Sequence, residues 1–294
     1  WPLRQAPDDD QYDIRRCELS PQSLHRNHLR CLIMELRDKV VVVTGGASGI
    51  GAGLVRRFCE EGVRGLVIAD LNGEVAASLA AELGARSHGV DVRDESAIAA
   101  LVADTEAEFG QIDLFCSNAG ILNLDEGDYW ATSSPNDIWQ RNWEIHVMAH
   151  IYAARACLPG MIRRGEGHFL HTVSAAGLLN QPYTAAYATT KHAAIGFAES
   201  LAIAHGDDGV KVSCLCPQAV DTAMLGGSDG GTAGLDGILS PAQVAEATVV
   251  GLREKRFLIL PHEQVQQYHL NKAQNYDRWI GGMRKLRRTM RPPT

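Results

Sequence analysis

The sequence lacks the features that mark several large classes of protein. It has no CxxC pair and no histidines at metal-ligand spacing, so its 7 cysteines predict reduced thiols and no metal site. It has no excess of basic residues, because 28 Lys and Arg stand against 35 Asp and Glu, for a formal net charge of -7. Such a chain offers no general attraction to the phosphates of nucleic acids.

Long apolar runs are also missing. No run approaches the ~18 residues that would suggest a transmembrane helix, and the N-terminus lacks the charged-then-apolar pattern of a signal peptide. We therefore expect a soluble, cytoplasmic protein with no membrane partner. The chain has 294 residues and 45% hydrophobic content, which is enough for one large core in one domain.

Residues 1–33 differ from the rest of the chain, since they are polar and show no sustained period. We interpret them as disordered or extraneous: an expression leader, an over-called start or a real extension. Residues 34–294 are expected to form the single domain. Within it, short β-branched apolar runs alternate with helical patterns, as in VVVV at 40–43 and GLVIAD at 65–70. This βαβ rhythm predicts an α/β fold, a Rossmann-like doubly wound parallel sheet with helices on both faces.

A glycine motif, TGGASGIG at 44–51, lies between the first strand and the first helix. In that context Gly45 permits the tight turn, Gly49 lets the backbone approach a pyrophosphate and Gly51 allows close packing of helix on strand. The helix N-terminus, with Ser48 and Ile50, presents free N–H groups to phosphate. The motif predicts a dinucleotide site.

Asp70 ends the second predicted strand, nineteen positions after Gly51. A carboxylate there accepts hydrogen bonds from the ribose hydroxyls of NAD and repels the 2′-phosphate of NADP. No Arg or Lys occurs in the glycine motif or at 71–73, so the sequence favours NAD over NADP. Leu71, the next residue, is a further candidate contact to the cofactor. Asp91 and Val92 end the third strand and are a weaker candidate contact for adenine.

The sequence YATTK at 187–191 places Tyr187 and Lys191 four residues apart, on one face of a predicted helix. Ser174 ends the strand GHFLHTVSA, thirteen positions before Tyr187, where strand ends face the cofactor crevice. A phenol of pKa ~10 is a poor base at neutral pH, and an adjacent ammonium group stabilises the phenolate. These three residues form the candidate proton-transfer centre.

With these motifs the chain resembles the short-chain dehydrogenase/reductase family from about residue 35 to about residue 261. The resemblance implies that Tyr187 is the general acid/base, that Lys191 lowers its pKa and holds the nicotinamide ribose, and that Ser174 hydrogen-bonds the substrate oxygen. It also implies that SNAG at 117–120 is a cofactor element. Its Asn118 would steady the sheet, and Ala119 and Gly120 would leave room for the cofactor.

The chain departs from the family's pattern at two positions. His146 stands where the family usually has an Asn that bends a helix and holds a water for proton relay. An imidazole could take over the relay, or it could be a packed, non-catalytic histidine. Gln218 stands where a Gly usually follows Pro217, so any conformation that needs Gly must differ there. The resemblance still implies that Val220 and Thr222 lie beside the cofactor.

Two segments near the C-terminus carry weaker patterns. Residues 222–240 are Gly-rich and predict a substrate lid, against the alternative of a plain flexible loop. Residues 262–294 contain seven Lys and Arg against two Asp and Glu. We interpret them as a solvated basic helix and tail, with a subunit contact as the alternative.

These motifs predict hydride transfer between NAD(H) and a hydrophobic secondary alcohol or ketone, of which cyclic, aromatic and steroid-like compounds are examples. The alternatives are an NADPH-dependent carbonyl reductase and an NAD(H)-binding sensor or scaffold without turnover. The family commonly forms dimers and tetramers, so the resemblance implies a homo-oligomer. Apolar and aromatic side chains are predicted to wall the pocket: Leu122, Tyr129, Trp130, Leu178, Leu179, Gln181, Tyr183, Met224 and Leu225.

Overall fold

A computed structural model describes residues 35–290 as one seven-stranded parallel sheet with helices on both faces. The predicted α/β, doubly wound fold is therefore confirmed. The predictions for residues 1–33 lie outside the described residues. The spatial order of the strands is β3-β2-β1-β4-β5-β6-β7. The strands are β1 Val40–Thr44, β2 Gly65–Asp70, β3 Arg86–Gly89, β4 Leu114–Ser117, β5 Gly167–Thr172, β6 Val210–Leu215 and β7 Leu258–Ile259.

The helices begin and end at the residue types that the sequence supplies for caps. Asp94 accepts from the backbone N–H groups of Ser96 and Ala97, and Gly84 and Gly110 end their helices in the left-handed conformation. The helices are α1 Gly49–Glu60, α2 Gly73–Leu83, α3 Glu95–Phe109, α4 Asn136–Trp143, α5 Ala149–Arg164, α6 Ala176–Leu179, α7 Ala185–His205, α8 Pro241–Arg253, α9 Gln264–Gln274 and α10 Tyr276–Thr289.

The helical stretch that α4 and α5 form together is interrupted. Between α4 and α5, Glu144–Met148 forms a π-helical turn, with the N–H of Ala149 donating to the carbonyl of Glu144. A π-turn inserts one extra residue into the helix and changes the direction in which the next side chains point. His146 lies at its centre, so the interruption falls on the position where the family's Asn was expected.

The strand order places the site. After β3 the chain crosses over to β4, on the other side of β1. The strand order therefore reverses between β1 and β4, which are hydrogen-bonded neighbours. In a parallel sheet the carboxyl ends of the strands meet at one edge, and ligands bind in the crevice at this switch point. The loops after β1, β2, β4 and β5 therefore converge there, and they carry the glycine motif, Asp70, SNAG and Ser174.

The segment predicted from 262 to 294 as a solvated basic helix and tail contains two helices in its described part, α9 and α10, and no residue of α10 is buried. Side chains from both helices line the same cavity as Ser174. The buried Lys272 of α9 donates a hydrogen bond to the carbonyl of Leu178. Within residues 35–290, no helix combines the length and apolarity needed to cross a bilayer.

Candidate functional site

The glycine loop is packed too tightly for larger residues. A Cβ on Gly45 would lie 2.8 Å from Cα of Ala119, and one on Gly51 would lie 2.0 Å from the carbonyl oxygen of Gly45. Gly49 has a φ of +50°, and a Cβ there would lie 3.0 Å from Cγ2 of Thr222. The loop thus presents bare backbone at the start of α1, which fits the approach of a pyrophosphate to the helix N-terminus.

Asp70 lies at the end of β2 and belongs to the same loop system. Its Oδ2 accepts from the N–H of Ala47 at 3.0 Å, and its Oδ1 accepts from the N–H of Asn72 at 3.0 Å. These bonds fix the carboxylate beside the glycine loop. Leu71 follows it and is 71% exposed. A shallow groove runs along residues 70–74, so a ribose bound there would meet a fixed carboxylate.

Asp91 lies two residues beyond the end of β3. Its carboxylate forms an ion pair with Arg93, at 2.6 Å between Oδ2 and Nη2, and Arg93 holds its pKa below the ordinary value. The carboxylate is therefore occupied by a neighbour in its own loop. Val92 packs against the hydrophobic core. An adenine contact at this position would have to compete with Arg93.

Asn118 joins three strand ends. Its side-chain amide donates to the carbonyls of Thr44 and Gly45, both at 3.1 Å, and its Oδ1 accepts from the hydroxyl of Thr172 at 3.0 Å. One side chain thereby links the carboxyl ends of β1, β4 and β5. The next residues, Ala119 and Gly120, continue this edge without bulky side chains.

Ser174, Tyr187 and Lys191 come together at this edge. Tyr187 and Lys191 lie on α7 and are 8% and 3% exposed, and Nζ of Lys191 is 5.6 Å from the centre of the Tyr187 ring. Nζ also donates to the carbonyl of Thr172 at 3.0 Å. Ser174 hydrogen-bonds the Tyr187 side chain. Ser174 has a φ of +126°, a strained conformation for a residue with a Cβ, and such strain concentrates at functional sites.

Burial sets the acid–base properties of this centre. It raises the pKa of Tyr187 above its ordinary value, and the hydrogen bond from Ser174 opposes this shift. Burial also lowers the pKa of Lys191 to about 7, because an ammonium group is poorly solvated there. In the protein alone, Lys191 therefore titrates near neutral pH, and Tyr187 is a neutral phenol.

His146 is fully buried, and both of its ring nitrogens have partners. Nε2 accepts from the N–H of Ile121 at 3.1 Å, which places the ring proton on Nδ1, 2.9 Å from the hydroxyl of Thr190. Burial, aided by the charge of Lys191, lowers its pKa well below the ordinary value. The ring meets Tyr187 edge-on, with 5.4 Å between centres. It connects the loop after β4 to the helix that carries Tyr187.

Gln218 adopts an ordinary backbone conformation, with a negative φ. Its N–H donates to Nδ1 of the buried His262 at 3.1 Å, and its side chain lines the cavity. The carbonyl of Pro217 accepts from the N–H of Ala175. Val220 pairs with Leu239 in an isolated parallel bridge. The replacement of Gly by Gln therefore adds a polar side chain to the cavity wall without straining the chain.

A cavity of about 500 Å³ opens beside Ser174. That size lies within the range of small-molecule sites. Among the predicted pocket residues, Leu179 and Gln181 line it, whereas Leu122, Trp130, Leu178, Met224 and Leu225 do not. The predicted lid contributes Thr232, Ala233, Leu235 and Asp236, while Met224 is half exposed. Its movement stays a prediction.

Tyr129 and Tyr183 lie outside the cavity lining and contact α10, a helix that covers the cavity. Their rings meet edge-on, with 5.6 Å between centres. The guanidinium of Arg287 on α10 lies 4.9 Å from the centre of the Tyr183 ring and donates to the carbonyl of Tyr129 at 3.1 Å. Both tyrosines therefore fasten the end of α10 to the loops around the site.

The pocket residues that the sequence did not predict lie mainly on α9 and α10. The signal was present, because Trp279, Met283 and Leu286 are spaced as on one face of a helix. The surrounding basic residues concealed it. No group of three or more potential metal ligands occurs in the part of the chain that the structure describes.

Comparisons with known proteins agree with this geometry. A sequence profile of the family described as short chain dehydrogenase matches residues 39–230. The 1-deoxy-11-beta-hydroxypentalenate dehydrogenase of Streptomyces exfoliatus is 35% identical over 240 residues, which cover 79% of this chain and 86% of that protein. The human estradiol 17-beta-dehydrogenase 11 is 31% identical over 232 residues, 76% of this chain and 75% of that protein.

Solved structures share the architecture. The 3-ketoacyl-(acyl-carrier-protein) reductase from Brucella melitensis, complexed with NADH, superposes with a TM-score of 0.70 at 26% identity. The match covers 76% of this chain and 96% of that one. The apo form of LigD from Sphingobium sp. strain SYK-6 superposes with a TM-score of 0.69 at 25% identity, over 81% of this chain and 96% of that one.

Proposed function

This chain belongs to the short-chain dehydrogenase family of oxidoreductases, and we propose that within it the protein interconverts a hydrophobic secondary alcohol and its ketone with NAD(H). The observation that carries the proposal is the convergence of Ser174, Tyr187 and Lys191 at the sheet edge that also holds the glycine loop. The names of two relatives, a hydroxypentalenate dehydrogenase and a 3-ketoacyl reductase, support this reaction class.

NAD is the proposed cofactor because hydrogen bonds hold the Asp70 carboxylate beside the glycine loop, where it would accept from the ribose hydroxyls, and because NADH is named with one structural relative. The glycine loop and Asp70 would hold its adenosine and pyrophosphate portion, and Lys191 its nicotinamide ribose. Thr222 and Val220 are proposed to lie beside the pyrophosphate and carboxamide. When bound, the cofactor supplies or accepts the hydride at the carbinol carbon of the substrate.

Side chains of the protein transfer the proton to and from the substrate oxygen. In the reductive direction, Tyr187 donates its phenolic proton to the carbonyl oxygen as the carbon gains the hydride, and in oxidation it takes the hydroxyl proton back. Ser174 donates a hydrogen bond to the same oxygen. Lys191 stabilises the phenolate and, with a pKa of about 7, can return a proton to it. His146 holds Ile121 and Thr190 in place and does not carry the proton.

The test is turnover of a panel of neutral ketones with NADH and of alcohols with NAD, followed by nicotinamide absorbance. Tyr187→Phe should lower kcat/KM by about 100-fold or more while NADH still binds. Tyr152→Phe, on α5 and outside the site, is the control and should be unaffected.

Binding of NADH without turnover of any compound would favour the sensor reading. A lower dissociation constant for NADPH than for NADH would favour the carbonyl reductase. A dimer or tetramer stays a prediction, which light scattering can test.

A further inference from the structure

One face of α10 forms the roof of the cavity. Its lining residues are spaced three or four apart, as one face of a helix requires. Most are apolar or small, so they suit the carbon skeleton of a substrate. The lining residues contributed from 275 to 286 are Asn275, Arg278, Trp279, Gly282, Met283 and Leu286.

Among the described residues that line the cavity, Arg278 is the one cation. Within residues 35–290 its guanidinium has no ion pair and no side-chain hydrogen bond, whereas Arg287 on the same helix is held by Tyr129 and Tyr183. A guanidinium stays protonated throughout the physiological range and offers five N–H donors. Arg278 is itself exposed to solvent, and the roof therefore presents a permanent positive charge with which no group of residues 35–290 forms an ion pair.

Amide side chains border the same part of the wall. Asn271 and Gln274, from the last turns of α9, line the cavity with Arg278. Oδ1 of Asn271 already accepts from Gln267, so its NH₂ group remains available as a donor. A guanidinium with neighbouring amide donors suits a carboxylate, which accepts several hydrogen bonds through two oxygens.

Asp236, the one acidic residue in the described part of the lining, does not pair with Arg278. Oδ1 of Asp236 accepts from the hydroxyl of Tyr268 at 3.0 Å, and no oxygen of Asp236 lies within ion-pair distance of Arg278. One free guanidinium matches the single charge of a carboxylate. A phosphate ester would carry about two charges and would call for a second cation.

We propose that the substrate is a hydroxy or keto acid with an apolar skeleton, whose carboxylate binds Arg278 while its carbinol or carbonyl group lies at Ser174 and Tyr187. This assignment rests on the proposed function, since it takes the reacting end from that function. Between the two ends, Leu179, Leu235 and Trp279 line the cavity. The two polar ends and the apolar middle would fix both the orientation and the length of the substrate.

The experiment measures binding by calorimetry to the NAD-loaded protein, in which a ketone cannot be reduced. The probes are straight-chain methyl-ketone acids of six, eight and ten carbons and their methyl esters. At least one acid should bind about tenfold more tightly than its ester, because the ester lacks the charge. Arg278→Gln should remove about tenfold of acid affinity and leave ester affinity unchanged, and Arg278→Lys should restore part of it.

Arg284→Gln is the matched control, because Arg284 lies on α10 but outside the cavity lining. It should change acid binding by less than about twofold. Equal binding of acid and ester at all three lengths, or equal losses in Arg278→Gln and Arg284→Gln, would overturn the proposal. Reduction of neutral ketones without an acid preference would leave the proposed function standing. Acid binding that depends on Arg278, with no ketone reduced, would instead retain the site and reject the proposed function.

Discussion

The backbone N–H of Ile121 donates a hydrogen bond to Nε2 of His146 across 3.1 Å. Ile121 follows the SNAG element, and His146 lies in the π-turn that precedes α5. Because Nε2 is occupied as an acceptor and the ring pKa lies well below neutral, a proton passing through this ring would have to break the bond to Ile121. The contact therefore supports a positioning role and argues against a relay role.

His146→Phe tests this role. Loss of the acceptor leaves the Ile121 N–H unsatisfied, which should lower the free energy of unfolding by about 1–3 kcal/mol and reduce kcat. The pKa values in the pH profile of kcat/KM should not move, because His146 does not titrate in that range. His146→Gln, which offers an acceptor again, should recover part of the stability. Disappearance of a near-neutral pKa in His146→Phe would instead assign the proton to the ring.

Lys191 makes stability depend on pH in a defined direction. Its pKa is about 7 in the folded protein against 10.5 for an ordinary lysine side chain, so the unfolded chain binds more protons between these limits. Wild-type stability, relative to Lys191→Met, should therefore rise as pH increases from about 7 towards 10. Below about pH 7 the penalty for burying the charge is fully present. Urea denaturation of both proteins without cofactor at several pH values measures the difference, and a flat or falling difference would contradict the burial of Lys191.

Asp70→Ser tests the cofactor assignment. Loss of a carboxylate that accepts from ribose hydroxyls should weaken NADH binding by about tenfold and narrow the preference over NADPH. Glu74→Gln is the control, because Glu74 borders the same groove. The substitution removes one negative charge and leaves the Asp70 carboxylate in place. Nicotinamide fluorescence titrations give both dissociation constants. Equal effects of the two substitutions would mean that only local charge matters.

Gly49→Ala and Gly84→Ala separate backbone strain from cofactor binding. Both glycines have positive φ, +50° and +67°, so alanine should cost about 1–2 kcal/mol of stability at either position. Only at Gly49 does the new Cβ approach Thr222 and the proposed pyrophosphate site, whereas at Gly84 no atom lies within 4 Å. Gly49→Ala should therefore also weaken NADH binding by about tenfold or more, and Gly84→Ala should leave it unchanged.

The fold was predictable because its signals are local. Buried parallel strands appear as unbroken apolar runs, and caps such as Asp94 and Gly84 mark helix ends. The π-turn at 144–148 could not be predicted from the spacing of apolar residues, because one extra residue shifts the helical pattern by only a single position. The hydrogen bonds of His146 with Ile121 and Thr190, which hold this turn in place, are visible only in the tertiary structure.

In the candidate site, too, some parts could be predicted from the sequence and others could not. Tyr187 and Lys191 are four apart on one helix, so their proximity follows from helical geometry alone. The pocket does not, because its wall combines Ser174 with residues as distant as Leu286. Met224 and Leu225 do not line this cavity, because the segment that follows them folds back onto Ala219 and contributes Thr232, Ala233, Leu235 and Asp236 instead.

The sequence by itself therefore determined the parallel sheet, the glycine loop, Asp70 and the Tyr187–Lys191 pair, since each depends on spacing within one strand, turn or helix. The tertiary structure alone decided what closes the cavity and which charge faces it. Packing of α9 and α10 across the site turns a basic C-terminal segment into a roof and brings Arg278, itself exposed to solvent, to the cavity lining. That outcome depends on how distant surfaces fit together, which no local period encodes.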